Sequence, residues 1–528
     1  MANPNDIAKL QEWLQGLSTD SDFSGANLSG IQLIDVNVRD IDFNGANLNH
    51  AVLRGAILTQ ANLSGANLSD ADLTSANLAR TNLCGANLWG ARLDYANLNN
   101  AQLKDVNMSG ATLVGAYLNG AELSGSRLSD AKLGRVNLCN AELHRANLIH
   151  ARMQDADMRN ADLSNAVLSN ADLRGAELTH ANLNGTVLQR SQLGSARLDH
   201  AKLRGVDLRC ADLSQADLRN ADLSGADLSG SRLNGANLSR ARLRRANLTA
   251  TDLTAANLSN AHLGSADLSG SILTGAILVN AYLGSVNLRR SDLRDADLTE
   301  SDLNCAKLTL ADLRHAVLRG VRLMHANLSD ANLRHADLRD ADLRRAYLAN
   351  ADLRGVNLRG VRLLHASLLR TRLSDVDFSH ADYSYADFSY ADVDQALESR
   401  FQTVSRQLEG FAGDLESRLL DIEELIRKLE EVIHVIRIDL EEIEGSQRSP
   451  ISTQTVQHYQ RFVTIIDEHC VSLRQRVDEY GHTQRHVEWT LEDISDTYDN
   501  LHQEIKTLGF YINWCEQLWV TLSAHHSM

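Results

Sequence analysis

The sequence predicts a mainly β solenoid over residues 21–395, followed by an all-α antiparallel coiled-coil hairpin over residues 396–528. Three observations predict it. Residues 211–230 read ADLSQADLRNADLSGADLSG, a period of five that matches neither the 3.6 of a helix nor the 2.0 of a strand. That period runs from Phe23, Leu28 and Leu33 to Tyr383, Phe388 and Val393 with no insertion or deletion, about 75 pentads in all. Beyond residue 395 the apolar spacing changes to 3.5, the period of a coiled-coil seam.

Before the repeats, Ile7, Leu10, Leu14 and Leu17 fall on one helical face. Residues 1–20 are therefore expected to form a helical cap over the first coil, since an open coil end exposes unpaired backbone. Within the repeats the third residue of each pentad is Leu almost throughout, with Met108, Met153 and Met158 as neutral exchanges. Two residues earlier stands Ala, occasionally Ser, Val or Thr. One large and one small apolar residue per pentad give each side of the solenoid two inward side chains that fill a narrow core at native density. Two large ones would overfill it. The remaining positions are Asp, Asn, Arg, Ser, Gly or His, and face outward.

This pattern, Ala-(Asp/Asn)-Leu-x-x, resembles that of the pentapeptide-repeat family over about residues 21–395. The resemblance implies that four pentads make one square coil, and that about 19 such coils stack as a right-handed quadrilateral β-helix. Some family members are dimers whose acidic rods mimic DNA and protect or inhibit gyrase. This chain departs from them: its repeat region is nearly neutral, it lacks the interrupting loop seen in some of them, and its tail is long.

Residues 20 apart should lie above one another on one face. Asn27, Asn47, Asn67, Asn87 and Asn107 then form an amide ladder able to hydrogen-bond from coil to coil. Arg294, Arg314, Arg334 and Arg354 stack on one face, and Arg319, Arg339 and Arg359 on the next. Asp292, Asp312 and Asp352 precede three of these by two residues, on the same outward side, so solvated ion pairs are expected. Residues 301–375 nevertheless carry 13 basic against 8 acidic side chains, which makes the arginine ladders the candidate surface for an anionic partner. Stacked His180/His200 and His315/His335 lack a third ligand, and no metal or other cofactor is expected. At the end of the repeats, Phe378, Tyr383 and Phe388 replace the inward Leu, with Tyr385 and Tyr390 outside. They mark an aromatic junction with the helical tail.

In the tail, Leu397 to Leu415 and then Ile422, Ile426, Leu429, Ile433, Ile436 and Leu440 follow alternating steps of four and three, with one stutter at Leu419. GSQRSP, residues 445–450, breaks the helix. The seam resumes through Val463, Ile466, Leu473 and Val477 to Leu508, and residues 510–522 read as a short aromatic helix. A short loop between two long seams implies an antiparallel hairpin. Surplus apolar residues (Leu425, Val432, Val435, Ile438) leave room for a third or fourth helix, so a homo-oligomer or a protein partner is expected there. His482 and His486 have i,i+4 spacing but belong to a solvated face.

The chain has 528 residues and a formal charge of −16, of which the tail holds about −12. An acidic chain is a poor general ligand for nucleic acid or anionic membranes. No apolar run is long enough to span a bilayer. No secretory leader is visible in MANPNDIAKLQEWLQGL, and the six cysteines lack CxxC spacing, so a cytoplasmic protein with reduced thiols is expected. Phosphate loops, nucleophile elbows and zincin or kinase motifs are missing. The function expected is that of a non-enzymatic scaffold, with DNA mimicry toward gyrase as the alternative.

Overall fold

A computed structural model describes residues 2–383 and 386–392, together with the helical positions Glu424, Arg427 and Glu430. The chain divides into two compact units, Met1–Leu397 and Glu398–Met528. The coiled-coil seam, the tail histidines, Tyr385 and Val393 lie outside the described residues.

Each pentad in the first unit places one residue in a parallel β-bridge with the residue 20 positions on, from Asp22↔Asp42 to Arg372↔Asp392. Four bridges and four turns therefore close one coil. The repeat region is a four-sided β solenoid, held by one bridge per side instead of extended strands. As expected, the Leu column and the small residue two positions before it are buried, with Leu218, Leu223, Ala221 and their counterparts at or near zero exposure except in the end coils, where residues such as Ala26, Ile31, Val376 and Phe378 are partly buried. Where Ser or Thr takes the small position, its hydroxyl finds a backbone acceptor in most pentads, Ser126 being an exception. Thr81 Oγ1 donates to Leu58 O (2.8 Å) and Ser231 Oγ to Leu228 O (2.6 Å), which removes the penalty for burying a hydroxyl.

Backbone bonding explains the rest of the motif. In the pentad Thr251–Ala255, the Thr251 N–H closes a turn onto Leu248 O (3.2 Å), and the Asp252 N–H donates to Ser231 O in the preceding coil (3.0 Å). The Leu253 and Ala255 N–H groups donate to Ile272 O (2.7 Å) and Thr274 O (2.9 Å) in the next coil. That leaves one N–H, on Thr254. The Asp252 carboxylate accepts it at 3.0 Å, an Asx turn. The same side-chain bond recurs from Ser24–Asp22 to Ser389–Asp387. The Asp/Asn preference at the second position is thus the acceptor that each turn needs.

Where the second residue is not Asp or Asn, a neighbouring coil can supply the acceptor. In the pentads of Thr112, Tyr117, Lys202 and Arg322, the fourth N–H is bonded by Asp94 (2.9 Å), Asn99 (2.9 Å), Asn184 (2.9 Å) and Asn304 (2.9 Å), each 20 residues earlier.

Every fifth residue among the described positions from 25 to 390 has a φ between +54° and +72°. A positive φ at the third turn residue alone is the type II pattern. Gly fits without cost, and many other positions carry Asn, Asp, His or Arg. No Val, Ile, Thr or Pro occurs there, because β-branched side chains and proline are the least compatible with left-handed backbone.

The cap is helix α1, Pro4–Leu14. Asn3 caps its start, and a Schellman motif ends it: Gly16 (φ +74°) donates to Trp13 O (3.0 Å) and Leu17 to Glu12 O (2.9 Å). The helix meets the open backbone of the first coil. The Asn3 N–H donates to Asn27 O (2.8 Å), Asp6 Oδ2 accepts the Asn27 N–H (2.8 Å), and Lys9 Nζ donates to Asp22 O (2.6 Å). Leu10 is fully buried, with Ile7 and Trp13 packed beside it. The expected apolar face is corrected at its far end. Leu14 and Leu17 are 37% and 74% exposed, because the helix stops at Leu14 and the chain turns away at Gly16. At the other end Phe378, Tyr383 and Phe388 pack edge to face, with centroids 6.1–6.4 Å apart.

Candidate interaction surface

With backbone groups largely satisfied within the stack, what the solenoid offers to other molecules is the side chains at the second, fourth and fifth positions. The amide ladder is present. Asn47, Asn67, Asn87 and Asn107 each donate through Nδ2 to the Asn Oδ1 one coil below, at 2.9–3.3 Å. Because each Oδ1 also serves its own turn, as Asn67 does for the Ser69 N–H (3.2 Å), this ladder is structural.

The arginine ladders sit at fourth positions, on the turns. Arg294, Arg314 and Arg354 form two-pronged pairs with Asp292, Asp312 and Asp352, their Nη2 to Oδ2 distances being 2.5, 2.6 and 2.6 Å. Arg339 does the same with Asp337 (2.5 Å). The guanidinium in each of the three pairs Asp292–Arg294, Asp337–Arg339 and Asp352–Arg354 holds the carboxyl below its ordinary range. Arg319, Arg334 and Arg359 differ. Their pentads carry Val317, Asn332 and Asn357 in place of Asp. They act only at a distance, on Asp337, Asp352 and Asp377. Three of the four cations in the first column and one of the three in the second are thus paired within their own pentad. Beside them His315 and His335 stack with centroids 5.4 Å apart, and His180 and His200 stack at 4.9 Å.

Among the described residues, no group of three or more His, Cys, Asp or Glu is placed to hold a metal ion. The described cysteines, Cys84, Cys139, Cys210 and Cys305, form no disulfide among themselves. Cys139 is buried, and burial pushes its thiol above the ordinary value, the opposite of an activated nucleophile. The proposed oligomerisation residues Ile422, Ile426, Leu429, Ile433, Ile436, Leu440, Val463, Ile466, Leu473 and Val477 lie outside the described residues.

One feature is not apparent from the repeat pattern. A shallow groove runs along a solenoid corner between the column Asn280, Glu300, Gly320 and the column Tyr282, Asp302, Arg322. Its traces in the sequence are a Tyr at a second position, Gly264 and Gly284 at fourth positions, and a Glu at a left-handed fifth position (Glu300, φ +56°).

Comparison with known proteins agrees with this geometry. The family model described as pentapeptide repeats (8 copies) matches in overlapping segments across residues 21–190 and 196–363, more than half the chain. The chain belongs to the pentapeptide-repeat family. No curated protein matches the sequence. Solved structures similar to it include a trypsin-treated form of QnrB1, a plasmid-mediated fluoroquinolone resistance protein. That likeness is at 18% identity and a TM-score of 0.21, over 44% of this chain and 96% of that one. HetL, a pentapeptide repeat protein involved in heterocyst differentiation regulation in the cyanobacterium Nostoc sp. strain PCC 7120, is similar at 26% identity. Its TM-score is 0.12, over 55% of this chain and 89% of that one. Rfr23 from the cyanobacterium Cyanothece 51142 is similar at 27% identity and a TM-score of 0.17, over 22% and 91% of the two chains. The family assignment rests on the repeats themselves.

Proposed function

We propose that this pentapeptide-repeat protein is a non-enzymatic cytoplasmic scaffold whose solenoid faces bind protein partners. In this reading residues 396–528 form a coiled coil for oligomerisation or partner docking. One observation carries the reading: every backbone N–H of a pentad such as Thr251–Ala255 is bonded within the stack, so the side chains at three outward positions are left for display. A surface of this kind presents fixed spacings to a partner, as repeat solenoids do. The arginine columns, with Arg319, Arg334 and Arg359 uncompensated, are the part suited to an anionic protein segment. DNA mimicry toward gyrase has less support, because arginine–aspartate pairs interleave on the outer faces where a mimic needs unbroken negative charge.

The test is capture of partners from the source lysate on the full chain and on a chain ending at residue 395. Partners retained by both place recognition on the solenoid, as expected for the scaffold. Loss of all partners with the tail would make the solenoid a spacer only. Gyrase subunits among the captured proteins would favour the mimic.

A further inference from the structure

The corner groove at Tyr282 has the chemistry of a cation site. Tyr282 lies across two stacked glycines: a Cβ on Gly264 or Gly284 would come within 2.8 or 2.9 Å of the ring or its hydroxyl. These glycines occupy fourth positions, where other pentads carry side chains, so one edge of the ring packs beside them and Tyr282 remains 39% exposed. His262 flanks it at 6.4 Å between centroids. Burial and the neighbouring Arg242 and Arg244 lower the pKa of that imidazole, so it brings no competing positive charge at neutral pH.

On the opposite wall, the Glu300 side chain runs over Gly320, its Cγ 3.5 Å from where a Cβ would stand. The Glu300 carboxylate has no ion pair or hydrogen bond among the described residues. Asp302, half-buried on the groove floor, accepts from Arg322 Nη2 at 3.1 Å. Among the groove-lining residues, two carboxylates therefore meet one guanidinium, and the Tyr282 ring closes the side. Within the groove lining the balance is one negative charge, which favours a cation over an anion as guest. Two carboxylates are too few ligands for a protein-held divalent ion.

We propose that this groove receives a basic side chain, Arg or Lys, from a protein partner, held by the Glu300 carboxylate and the face of Tyr282. The site rests on the scaffold reading and gives it a second recognition element of opposite sign to the arginine columns. A guanidinium or ammonium over a tyrosine ring and against a free carboxylate combines a cation–π contact with an ion pair. The neighbouring Asp302–Arg322 pair fixes the floor.

The test is fluorescence anisotropy of the full chain at low ionic strength with a labelled peptide carrying three arginines, beside the same peptide carrying citrulline. Glu300→Gln is expected to weaken arginine-peptide binding about fivefold, and Tyr282→Ala to a similar extent. Tyr282→Phe, which keeps the ring, should stay within about twofold, as should Glu122→Gln, an exposed carboxylate further along the Tyr282–Asp302 column. Equal weakening by Glu300→Gln and Glu122→Gln would reduce the effect to net charge and overturn the site. So would equal binding of the citrulline peptide. Retained partner capture alongside either result would leave the scaffold reading standing while this site falls.

Discussion

Replacing Asp252 by Ala removes the acceptor that its own turn supplies, and Asn234, 20 residues before Thr254, is engaged with the Ser214 hydroxyl instead (2.7 Å). Asp252 Oδ1 accepts both the Thr254 N–H (3.0 Å) and the Thr254 hydroxyl (2.6 Å). The other four N–H groups of that pentad are already bonded to backbone carbonyls. Hydrogen bonds to a charged acceptor contribute about 1.5–3 kcal/mol, and the comparable loss of a helix N-cap costs about 0.5–2 kcal/mol. Thr254 is half-buried, so water recovers part of the loss, and about 1–2 kcal/mol is expected. Asp252→Asn keeps an acceptor oxygen in place and should cost less than half as much. Asp252→Glu moves the carboxylate out by one methylene and should behave like Ala.

A solenoid unfolds locally, each coil resting on its neighbours, so a global melting curve would dilute the effect. Native-state hydrogen exchange on peptides covering residues 241–270 reads it directly: about 1.4 kcal/mol corresponds to a tenfold fall in protection. Equal protection in the Asn and Ala variants, or a change below twofold in the Ala variant, would refute the capping account.

Three further outcomes follow from the structure and a fourth from the proposed coiled coil of the tail. Leu310 holds a φ of +62° with its side chain half exposed. Leu310→Gly should therefore slow local exchange by relieving about 1 kcal/mol of left-handed strain, less the entropy that Gly adds to the unfolded chain. Leu218→Asp buries an unpaired carboxylate in a site of zero exposure and should abolish protection in the adjacent coils, whereas Leu218→Met should leave it within about 1.5 kcal/mol. Asp157, paired with Arg159 at 2.7 Å, is held at about 2 against an ordinary 3.8. Its folded pKa is depressed, so its stabilisation is complete above about 3.8 and is lost as pH falls through 2; a carboxyl NMR titration should show that midpoint move up in Arg159→Ala. Substitution of Ile433 and Ile436 by Asp should lower the oligomer mass by light scattering while the circular dichroism of the repeats persists; unchanged mass would sink the coiled-coil handle.

The period of five and its two apolar letters made the core legible, since the Leu and Ala columns are buried as the spacing required. Pairing of Asp292, Asp312 and Asp352 with the arginines two residues on was legible for the same reason: both point outward on one side. The role of the second residue was not. Read as merely outward, Asp252 and its counterparts carry no hint that one turn N–H lacks a backbone partner until the whole coil is counted. The left-handed fifth position did leave a trace, in the exclusion of Val, Ile, Thr and Pro from residues 25 to 390, but a composition gap is harder to see than a repeated letter. The far end of the cap was misjudged because helical periodicity continues through Leu17 in sequence, while Gly16 takes the chain out of the helix. The Tyr282 groove depends on glycines at residues 264, 284 and 320, which come together only once the 20-residue coil is closed.

The central claim, that the outward positions of the solenoid bind protein partners, is most directly tested by photo-crosslinking in the captured complex. A photoreactive residue is placed in turn at positions 300, 319, 334 and 359 of the full chain, with a control at position 69. Partner adducts from the first four positions and none from position 69 are the predicted result. Adducts at none of the four, in a complex that still forms, would contradict it.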